Sequence, residues 1–275
     1  MQKELLSSSK YYLSQPFWRL LRSVLSGNLW GKMYSMRQRM LLQKLEAKLS
    51  LAMSLTGSMS DGRVWDKNLI SRRLGNMHPF SGESAVLEKL FNHYETDKCT
   101  LHNYQYLYAS FFHEHKSDVK NLLEIGIYKG GSLRAWREYF ERGNIYGMDI
   151  DPNTIFQAER IQTIVADQNK IESLASAFKE FGVKFDVIVD DGWHQPEASV
   201  NTMIAALPYM SENSVFVLED IKGNLYEPFF SRLAQTISVY KDFSAEYIDL
   251  NKSVQRFGTK DSCVFVIKKC VAPAE

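Results

Sequence analysis

From about residue 83 onward, apolar runs alternate with amphipathic segments along the chain. The apolar runs predict strands at 121–126, 144–149, 162–166, 184–190, 213–219, 243–250 and 262–268. Helical periodicity predicts helices at 131–141, 153–160, 170–181, 197–209 and 227–240. Because alternating strands and helices form a mainly parallel sheet with helices on both faces, the pattern predicts an α/β fold. The last two strands have no helical pattern between them, so we expect an antiparallel hairpin that completes a sheet of seven strands.

Residues 1–82 have a different pattern, which predicts helices separated by loops, the longest at 33–53. We therefore divide the chain into an N-terminal helical extension, residues 1–82, and an α/β domain, residues 83–275. The first 50 residues contain nine Lys or Arg and two Glu, a formal net charge of +7. A basic amphipathic helix could contact an anionic membrane surface. We favour a helical arm that packs on its own domain or on a second subunit of a homo-oligomer, because such arms are common.

Composition excludes several functional classes. The 275 residues are 45% hydrophobic and 24% charged, values typical of a globular protein. The formal net charge of +1 gives no basis for nucleic-acid binding. No run of 18 or more apolar residues is present, so we predict no transmembrane helix. The first residues lack a secretory hydrophobic segment and the three cysteines have no metal-type spacing, which together predict a cytoplasmic protein.

The first predicted strand runs into a glycine-rich turn. Gly126 permits the sharp turn out of the strand, and Ser132 is an expected N-cap of the helix that follows. A dinucleotide fingerprint would need glycine at position 128, where Tyr128 stands. S-adenosylmethionine has no pyrophosphate that must approach the backbone, so a site for it does not depend as strongly on glycine at position 128. A carboxylate at the strand end could also orient such a cationic ligand. The predicted cofactor contacts at this turn are Glu124, Gly126, Gly130 and Ser132.

The next two predicted strands also end in acids. Asp149 follows Gly126 by about 23 residues, near the spacing of a ribose-binding carboxylate. Asp167 follows the third strand, where a carboxylate could accept a hydrogen bond from an adenine amino group. Asp151, which precedes Pro152, is more often a helix cap than a ligand. The ordered acids therefore favour a nucleoside-containing cofactor.

A second acidic group follows two later strands. Asp190 and Asp191 end one strand, and Glu219 and Asp220 end the next. Acids at the carboxyl ends of adjacent parallel strands converge, and they would repel one another without a hard cation such as Mg²⁺ between them. His194 adds a titratable base. The alternative is that Asp191, Glu219 and Asp220 are helix-capping and loop carboxylates, whereas the favoured interpretation of Asp190 is that it caps a strand end or orients a neighbouring residue.

Taken together, these motifs resemble one known family. Glu124-Ile125-Gly126-x-x-x-Gly130-Gly131-Ser132, Asp190-Asp191-Gly192-x-His194 and Glu219-Asp220 resemble the metal-dependent sugar O-methyltransferases, which include macrolide and rhamnosyl O-methyltransferases and the related cephalosporin hydroxylase-like proteins. Thr96-Asp97-Lys98-x-Thr100-x-His102-x-Tyr104 is similar to that family's opening segment. The resemblance covers about residues 84–269. It implies the Rossmann-like sheet of class I methyltransferases, which bind S-adenosylmethionine.

The resemblance also implies roles for single residues. It implies that Asp191, Glu219 and Asp220 hold Mg²⁺ and that His194 is the general base. It implies that Glu124, Asp149 and Asp167 bind S-adenosylmethionine, with Asp191 beside them. Trp193 departs from the family, which usually has a small residue there. Lys98 and His102 could equally be surface residues near the cleft.

The function implied is methylation of a sugar hydroxyl on a glycosylated natural product or a glycan. Three alternatives remain open. The first is a cephalosporin hydroxylase-like role, and the second is methylation of a catechol-type acceptor. The third is a non-catalytic member that binds a partner or a membrane through its basic N-terminal arm.

Overall fold

The computed structural model describes residues 27–56, 81–240, 242–254 and 261–269. The chain divides into two compact units, residues 1–44 and 45–275. The described helices are α1 (Gly27–Thr56), α2 (Ser81–His93), α3 (Tyr104–Phe112), α4 (Gly131–Tyr139), α5 (Ile171–Phe181), α6 (Pro196–Ala206), α7 (Gly223–Ile237) and α8 (Leu250–Val254). The described strands are β1 (Asn121–Ile125), β2 (Asn144–Asp149), β3 (Gln157–Ala158), β4 (Ile161–Val165), β5 (Phe185–Asp190), β6 (Met210–Leu218), β7 (Phe243–Asp249) and β8 (Cys263–Lys269). The predicted domain boundary at residue 82 stays a prediction.

One sheet contains all the described strands, in the order β3-β4-β2-β1-β5-β6-β8-β7. The five strands from β4 to β6 in this order pair in parallel, and β8 is antiparallel to both β6 and β7. The mainly parallel sheet and its antiparallel end confirm the predicted fold class. The predicted count of seven is one too low, because the short β3 pairs antiparallel with the edge of β4.

The predicted helix at 153–160 is wrong. Asp151 accepts a hydrogen bond from the backbone N–H of Asn153 at 2.9 Å, which forms a single 3₁₀ turn at Pro152–Thr154. The side chain of Thr163 on β4 then binds the backbone N–H of Phe156 at 2.7 Å. This contact holds the segment extended as β3. Between the last two strands, where no helix is predicted, the chain forms the five-residue α8.

The strand register places the candidate site at the carboxyl edge of the sheet. Ile125 pairs with Asp190 between β1 and β5, and Asp190 pairs with Leu218 between β5 and β6. The residues that follow these three positions are therefore neighbours across the sheet edge. The strands are buried on both faces, as expected for parallel strands covered by helices.

An aromatic core supports this edge from one face of the sheet. Helix α2 packs on α3 and α4. Trp136 of α4 is fully buried and contacts Phe91 and Tyr108 edge-on, with ring centroids 5.1 and 4.8 Å apart. Nearly every side chain of α3 is buried, including its Tyr104 and Tyr108. Helix α3 is thus an internal element, which brings phenol hydroxyl groups close to the sheet edge.

The part of α1 that belongs to the second unit packs on the α/β domain. Lys48 donates to the side chain of Asn201 on α6 at 2.9 Å, and Tyr240 donates to the carbonyl of Ser50 at 3.0 Å. For residues 45–54 this agrees with the favoured interpretation of a packed helical arm. Four of the nine basic residues of the first 50, Lys3, Lys10, Arg19 and Arg22, lie outside the described residues. Within the described part of the chain, no helix is long and apolar enough to cross a membrane.

Candidate active site

A cavity of about 790 Å³ opens where β1, β2, β4 and β5 end. Its volume lies within the usual range of small-molecule sites, roughly 300–1,000 Å³. Residues 94–97, which follow α2, form part of its wall. The wall also contains five predicted cofactor residues, namely Gly126, Ser132, Asp149, Asp167 and Asp191. The structure therefore brings together most of the predicted cofactor residues, although they come from separate parts of the chain.

The turn after β1 leaves no room for a side chain at Gly126. The φ angle of Gly126 is +94°, and a Cβ there would lie 2.2 Å from the carbonyl oxygen of Asp191. Asp149, at the end of β2, accepts hydrogen bonds from the backbone N–H groups of Ile127 at 2.7 Å and Tyr128 at 3.2 Å. The predicted ribose carboxylate and the glycine turn are therefore one hydrogen-bonded unit.

Two predicted residues at the start of α4 have different environments. Gly130 precedes the helix with a φ angle of +72° and, although described, is not in the cavity wall. Ser132 is not the N-cap, because Gly130 occupies that position and Ser132 lies in the first turn. The Ser132 side chain instead acts to lower the pKa of the neighbouring Glu124. The capping prediction for Ser132 is therefore wrong, whereas Ser132 does line the cavity.

Glu124 does not reach the cavity. Its side chain is fully buried beneath the wall, where it accepts a hydrogen bond from Trp136 Nε1 at 3.0 Å and forms an ion pair with Lys98 at 3.2 Å. Burial raises the pKa of Glu124, although Lys98 opposes the shift. The charge of Glu124 thus pairs with Lys98 inside the protein, and its contact with the cofactor stays a prediction.

Asp167 is an ionised acceptor in the cavity wall. Its Oδ1 accepts the backbone N–H of Asn169 at 2.9 Å, and its Oδ2 lies 3.1 Å from Lys170 Nζ. Partial burial acts to raise the pKa of Asp167, but these contacts hold it below its ordinary value. A carboxylate that stays ionised can accept hydrogen bonds from a ligand, as predicted for an adenine amino group.

Three side chains meet beside the cavity and form the acid–histidine cluster, which consists of Asp191, His194 and Asp220. One ligand-type atom from each lies within 4.8 Å of the other two. His194 Nε2 is 3.9 Å from both Asp191 Oδ1 and Asp220 Oδ2. His194 and Asp220 have positive φ angles of 51° and 56°, which are uncommon for residues with a side chain. Such backbone strain is often found at functional sites.

Glu219, the third predicted metal ligand, lies outside this cluster. It is buried, its Oε2 accepts from Lys98, and its Oε1 accepts from the Tyr108 hydroxyl at 2.5 Å. Both of its oxygens therefore have protein donors. The metal role of Glu219 stays a prediction of the family resemblance.

Lys98 is not a surface residue. Its side chain is 1% exposed, and Nζ lies 2.8 Å from Asp191 Oδ2 in addition to its contacts with Glu219 and Glu124. Burial acts to lower the pKa of Lys98, but the three carboxylates raise it well above its ordinary value. The ammonium group therefore stays charged. Only its position in the segment that resembles the family distinguished this lysine in the sequence.

The segment of residues 96–104, which contains Lys98, also holds Asp220 in place. The Tyr104 hydroxyl donates to Asp220 Oδ1 at 2.5 Å and accepts the backbone N–H of Asp220 at 3.0 Å. His102 stacks on Tyr104 and its Nδ1 lies 3.4 Å from Asp220 Oδ1. The alternative that His102 is a surface residue is therefore wrong. Tyr108 lies four residues after Tyr104 on α3, and this spacing on one helix face could have indicated that both phenols point toward the site.

The carboxylates around the cluster outnumber the cationic side chains that face them. Four acids are close together, Glu124, Asp191, Glu219 and Asp220, against one ammonium group. Burial, followed by repulsion from Asp191, raises the pKa of Asp220, and burial raises that of Glu219. A divalent cation would offset the excess charge, and carboxylate oxygens are the ligands that Mg²⁺ and Mn²⁺ prefer. The donor set therefore fits a hard divalent cation.

Gln168 ties the turn that carries Asp191 and His194 to the sheet. Its Nε2 donates to Asp190 Oδ1 at 2.7 Å, and its Oε1 accepts the backbone N–H of Trp193 at 2.8 Å. Burial raises the pKa of Asp190 to about 6. Asp190 thus orients the turn, as the favoured interpretation predicts. Trp193 lines the cavity and is left 63% exposed.

Comparison with known proteins connects this geometry to a family. The family described as a methyltransferase domain matches residues 123–221. Over 143 residues the chain is 35% identical to demethylmacrocin O-methyltransferase of Streptomyces fradiae, a match that covers 49% of this chain and 36% of the relative. Over 144 residues it is 38% identical to mycinamicin VI 2''-O-methyltransferase of Micromonospora griseorubida, with the same coverage. The matched region is thus little more than a third of these relatives' length.

Two solved structures of the MycE methyltransferase from the mycinamycin biosynthetic pathway share the fold. One, in complex with Mg and SAH, has a TM-score of 0.50 and 29% identity over 67% of this chain and 54% of MycE. The other also contains mycinamycin VI; its TM-score is 0.55 at 23% identity, over 76% of this chain and 64% of MycE. Residues 123–221 thus match a methyltransferase domain, the sheet has the Rossmann-like fold of class I methyltransferases, and the relatives matched over about half of this chain are named as O-methyltransferases.

Proposed function

We propose that the chain is an S-adenosylmethionine- and Mg²⁺-dependent O-methyltransferase that acts on a sugar hydroxyl of a glycosylated natural product or glycan. One observation carries the proposal. Asp191 belongs both to the cavity wall and to the acid–histidine cluster. A methyl donor in the cavity and a cation at the cluster would therefore be adjacent, which is the arrangement that metal-assisted methyl transfer to a hydroxyl requires.

The methyl donor would occupy the cavity. The carboxylate of Asp149 can accept hydrogen bonds from ribose hydroxyls, and that of Asp167 from an adenine amino group. Gly126 lets the cofactor approach the backbone of the turn closely. The MycE structure in complex with Mg and SAH supports this assignment. Gly130 acts indirectly in this proposal, since it shapes the start of α4.

The cation would be held by carboxylate oxygens of Asp191 and Asp220. The family resemblance adds Glu219, whose oxygens already accept from Lys98 and Tyr108. A carboxylate oxygen has two acceptor positions, so one of them remains for a cation. When bound, Mg²⁺ supplies positive charge that stabilises a developing alkoxide on the acceptor.

His194 would take the proton from the acceptor hydroxyl. Its Nε2 faces the same oxygens of Asp191 and Asp220 that would flank the cation. As the proton moves to Nε2, the hydroxyl oxygen forms a bond to the methyl carbon. The bond from that carbon to sulfur breaks, and its electron pair stays on sulfur to give S-adenosylhomocysteine. Charge balances, because the positive charge of the sulfonium is lost as the imidazolium forms.

Removal of divalent cations tests the proposal. Chelation with EDTA should lower methyl transfer roughly 100-fold or more, since a metal at a developing oxyanion contributes several kcal/mol. Added Mg²⁺ should restore the rate, and calorimetry should show S-adenosylmethionine binding. Added Mg²⁺ should not restore the rate of the Asp220→Asn variant. It should restore the rate of the control Asp118→Asn, because the Asp118 side chain is 71% exposed. Full activity in EDTA would refute metal dependence. Absence of S-adenosylmethionine binding would refute the proposal that the chain is a methyltransferase.

Trp193 should determine acceptor affinity. Its indole is 63% exposed in the cavity wall, next to His194, where a ring of the acceptor can pack on it. Trp193→Ala should raise the acceptor KM roughly 3- to 10-fold, while Trp193→Phe keeps most of the affinity. The assay should follow the mass gain of one methyl group on a panel of glycosides and catechols. A larger effect on the Kd of S-adenosylmethionine than on the acceptor KM would contradict this role.

The proposal includes a small-molecule or glycan acceptor, as the complex of MycE with mycinamycin VI suggests by likeness. A cytoplasmic location, a homo-oligomer and membrane contact through the basic N-terminal arm stay predictions of the sequence.

A further inference from the structure

The proposed chemistry makes no use of Lys98, although it is the buried cation at the centre of the acids. Its ammonium group contacts Glu124 at 3.2 Å, Asp191 at 2.8 Å and Glu219. A charged lysine is almost never fully buried unless it is paired, because removal of its hydration is costly. Three separate carboxylates pair with this one. Such an arrangement calls for a function.

The geometry divides the two oxygens of Asp191 between two partners. Oδ2 accepts a hydrogen bond from Lys98, and Oδ1 lies 3.9 Å from His194 Nε2 in the acid–histidine cluster. With Oδ2 held, the carboxylate cannot rotate without breaking a charge-assisted hydrogen bond. Lys98 therefore determines which oxygen of Asp191 faces the cluster.

Glu219 is held in the same way. Lys98 binds its Oε2, and the Tyr108 hydroxyl binds its Oε1, so both rotation and withdrawal of this carboxylate are restricted. Lys98 also screens Asp191 and Glu219 from each other. Without this ammonium group, two neighbouring carboxylates would repel and move apart.

We propose that Lys98 is a positioning residue of the metal site: its ammonium group fixes Asp191 and Glu219 so that their remaining oxygen positions face the cation. The inference rests on the proposed function, since it presupposes that the cluster binds a divalent ion. Removal of a residue that orients metal ligands without contacting the metal typically weakens metal binding by about 10- to 100-fold. We expect an effect of that size for Lys98.

The experiment must separate positioning from net charge. Lys98→Met alone removes a positive charge and leaves one more carboxylate uncompensated. The double variant Lys98→Met/Glu124→Gln removes one charge of each sign. The double variant therefore keeps the net formal charge of Lys98 and the surrounding acids. The glutamine side chain at position 124 can still accept the Trp136 hydrogen bond. Glu124→Gln alone is the matched control, because it retains the ammonium group.

The measurement is Mn²⁺ binding by electron paramagnetic resonance, together with calorimetry of S-adenosylmethionine and circular dichroism. Wild type and Glu124→Gln should bind Mn²⁺ with similar affinity. The double variant should bind it about 10- to 100-fold more weakly, with an altered spectrum of bound Mn²⁺. Its affinity for S-adenosylmethionine should change less than about threefold, since Asp149 and Asp167 are unaffected. A merely structural defect would lower both affinities.

Equal or tighter Mn²⁺ binding by the folded double variant would overturn the inference, and tighter binding would make Lys98 a competitor of the metal. If the double variant does not fold, Lys98→Gln/Glu124→Gln replaces it, because its amide still donates a hydrogen bond to one carboxylate. The same comparison then applies, and equal affinity again overturns the inference. A wild type that binds S-adenosylmethionine but no Mn²⁺ would overturn the metal part of the proposed function and this inference with it.

Discussion

Replacement of His194 by alanine is expected to slow methyl transfer by roughly 100- to 10,000-fold, the usual contribution of a general base. The imidazole Nε2 lies 3.9 Å from one oxygen each of Asp191 and Asp220, so it can reach a hydroxyl held at the cluster. A sugar hydroxyl is a very weak acid, and without a base the proton must go to water. Initial rates at saturating S-adenosylmethionine and acceptor measure the loss.

Binding measurements separate a base from a ligand at this position. The His194→Ala variant should bind S-adenosylmethionine and Mn²⁺ as the wild type does, because neither depends on the imidazole in the proposed arrangement. His115→Ala is the control, since this side chain is 70% exposed and pairs with Asp118. A His194→Ala variant that keeps its rate would refute the base role. One that loses Mn²⁺ would make His194 a metal ligand instead.

The sheet and its acidic edge could be predicted because both follow from local patterns. Strands β1, β2 and β5 are mainly apolar, and the predicted bounds of β2, 144–149, are the observed ones. Once the strands are parallel, the register alone brings the residues after Ile125, Asp190 and Leu218 together. The convergence of the predicted acids is therefore a consequence of topology.

The position of Lys98 could not be predicted in this way. Lys98 lies in a turn between two helices, where no periodicity determines the direction of a side chain. Its partners Asp191 and Glu219 are 93 and 121 positions away. Glu124 shows the same difficulty, because the packing of α4 brings Trp136 Nε1 to its buried side chain. Contacts between distant segments decide both cases.

The helix predicted at 153–160 failed for a different reason. That segment contains the adjacent apolar residues Ile155 and Phe156, which are weak evidence for a helix because neighbouring residues do not share a helix face. Asp151 and Pro152 instead form a tight turn, and Thr163 on the neighbouring strand binds both the N–H and the carbonyl of Phe156. Hydrogen bonds to β4 thus outweigh a weak local preference. Short segments at a sheet edge are especially open to this effect.

Gly126→Ala is expected to abolish S-adenosylmethionine binding, with at least a 100-fold rise in Kd. The added Cβ would lie 2.2 Å from the carbonyl oxygen of Asp191 and 2.7 Å from its carbonyl carbon, which are backbone atoms of a neighbouring strand end. The turn after β1 and the turn after β5 would have to separate. That movement would displace the N–H groups that Asp149 holds, and it would also shift Asp191, which serves both the cavity and the cluster.

Gly182→Ala is a matched control for the backbone strain. Gly182 also has a positive φ angle, +65°, at the end of α5, but a Cβ there would meet nothing closer than 3.7 Å. Both variants place alanine at a positive φ angle, which costs about 1–2 kcal/mol in the left-handed helical region, whereas only Gly126→Ala adds the steric conflict. Urea denaturation should therefore show a small loss of stability for Gly182→Ala with normal binding by calorimetry. If Gly126→Ala binds S-adenosylmethionine as well as Gly182→Ala does, the methyl donor does not bind against this turn, and the cavity assignment is wrong.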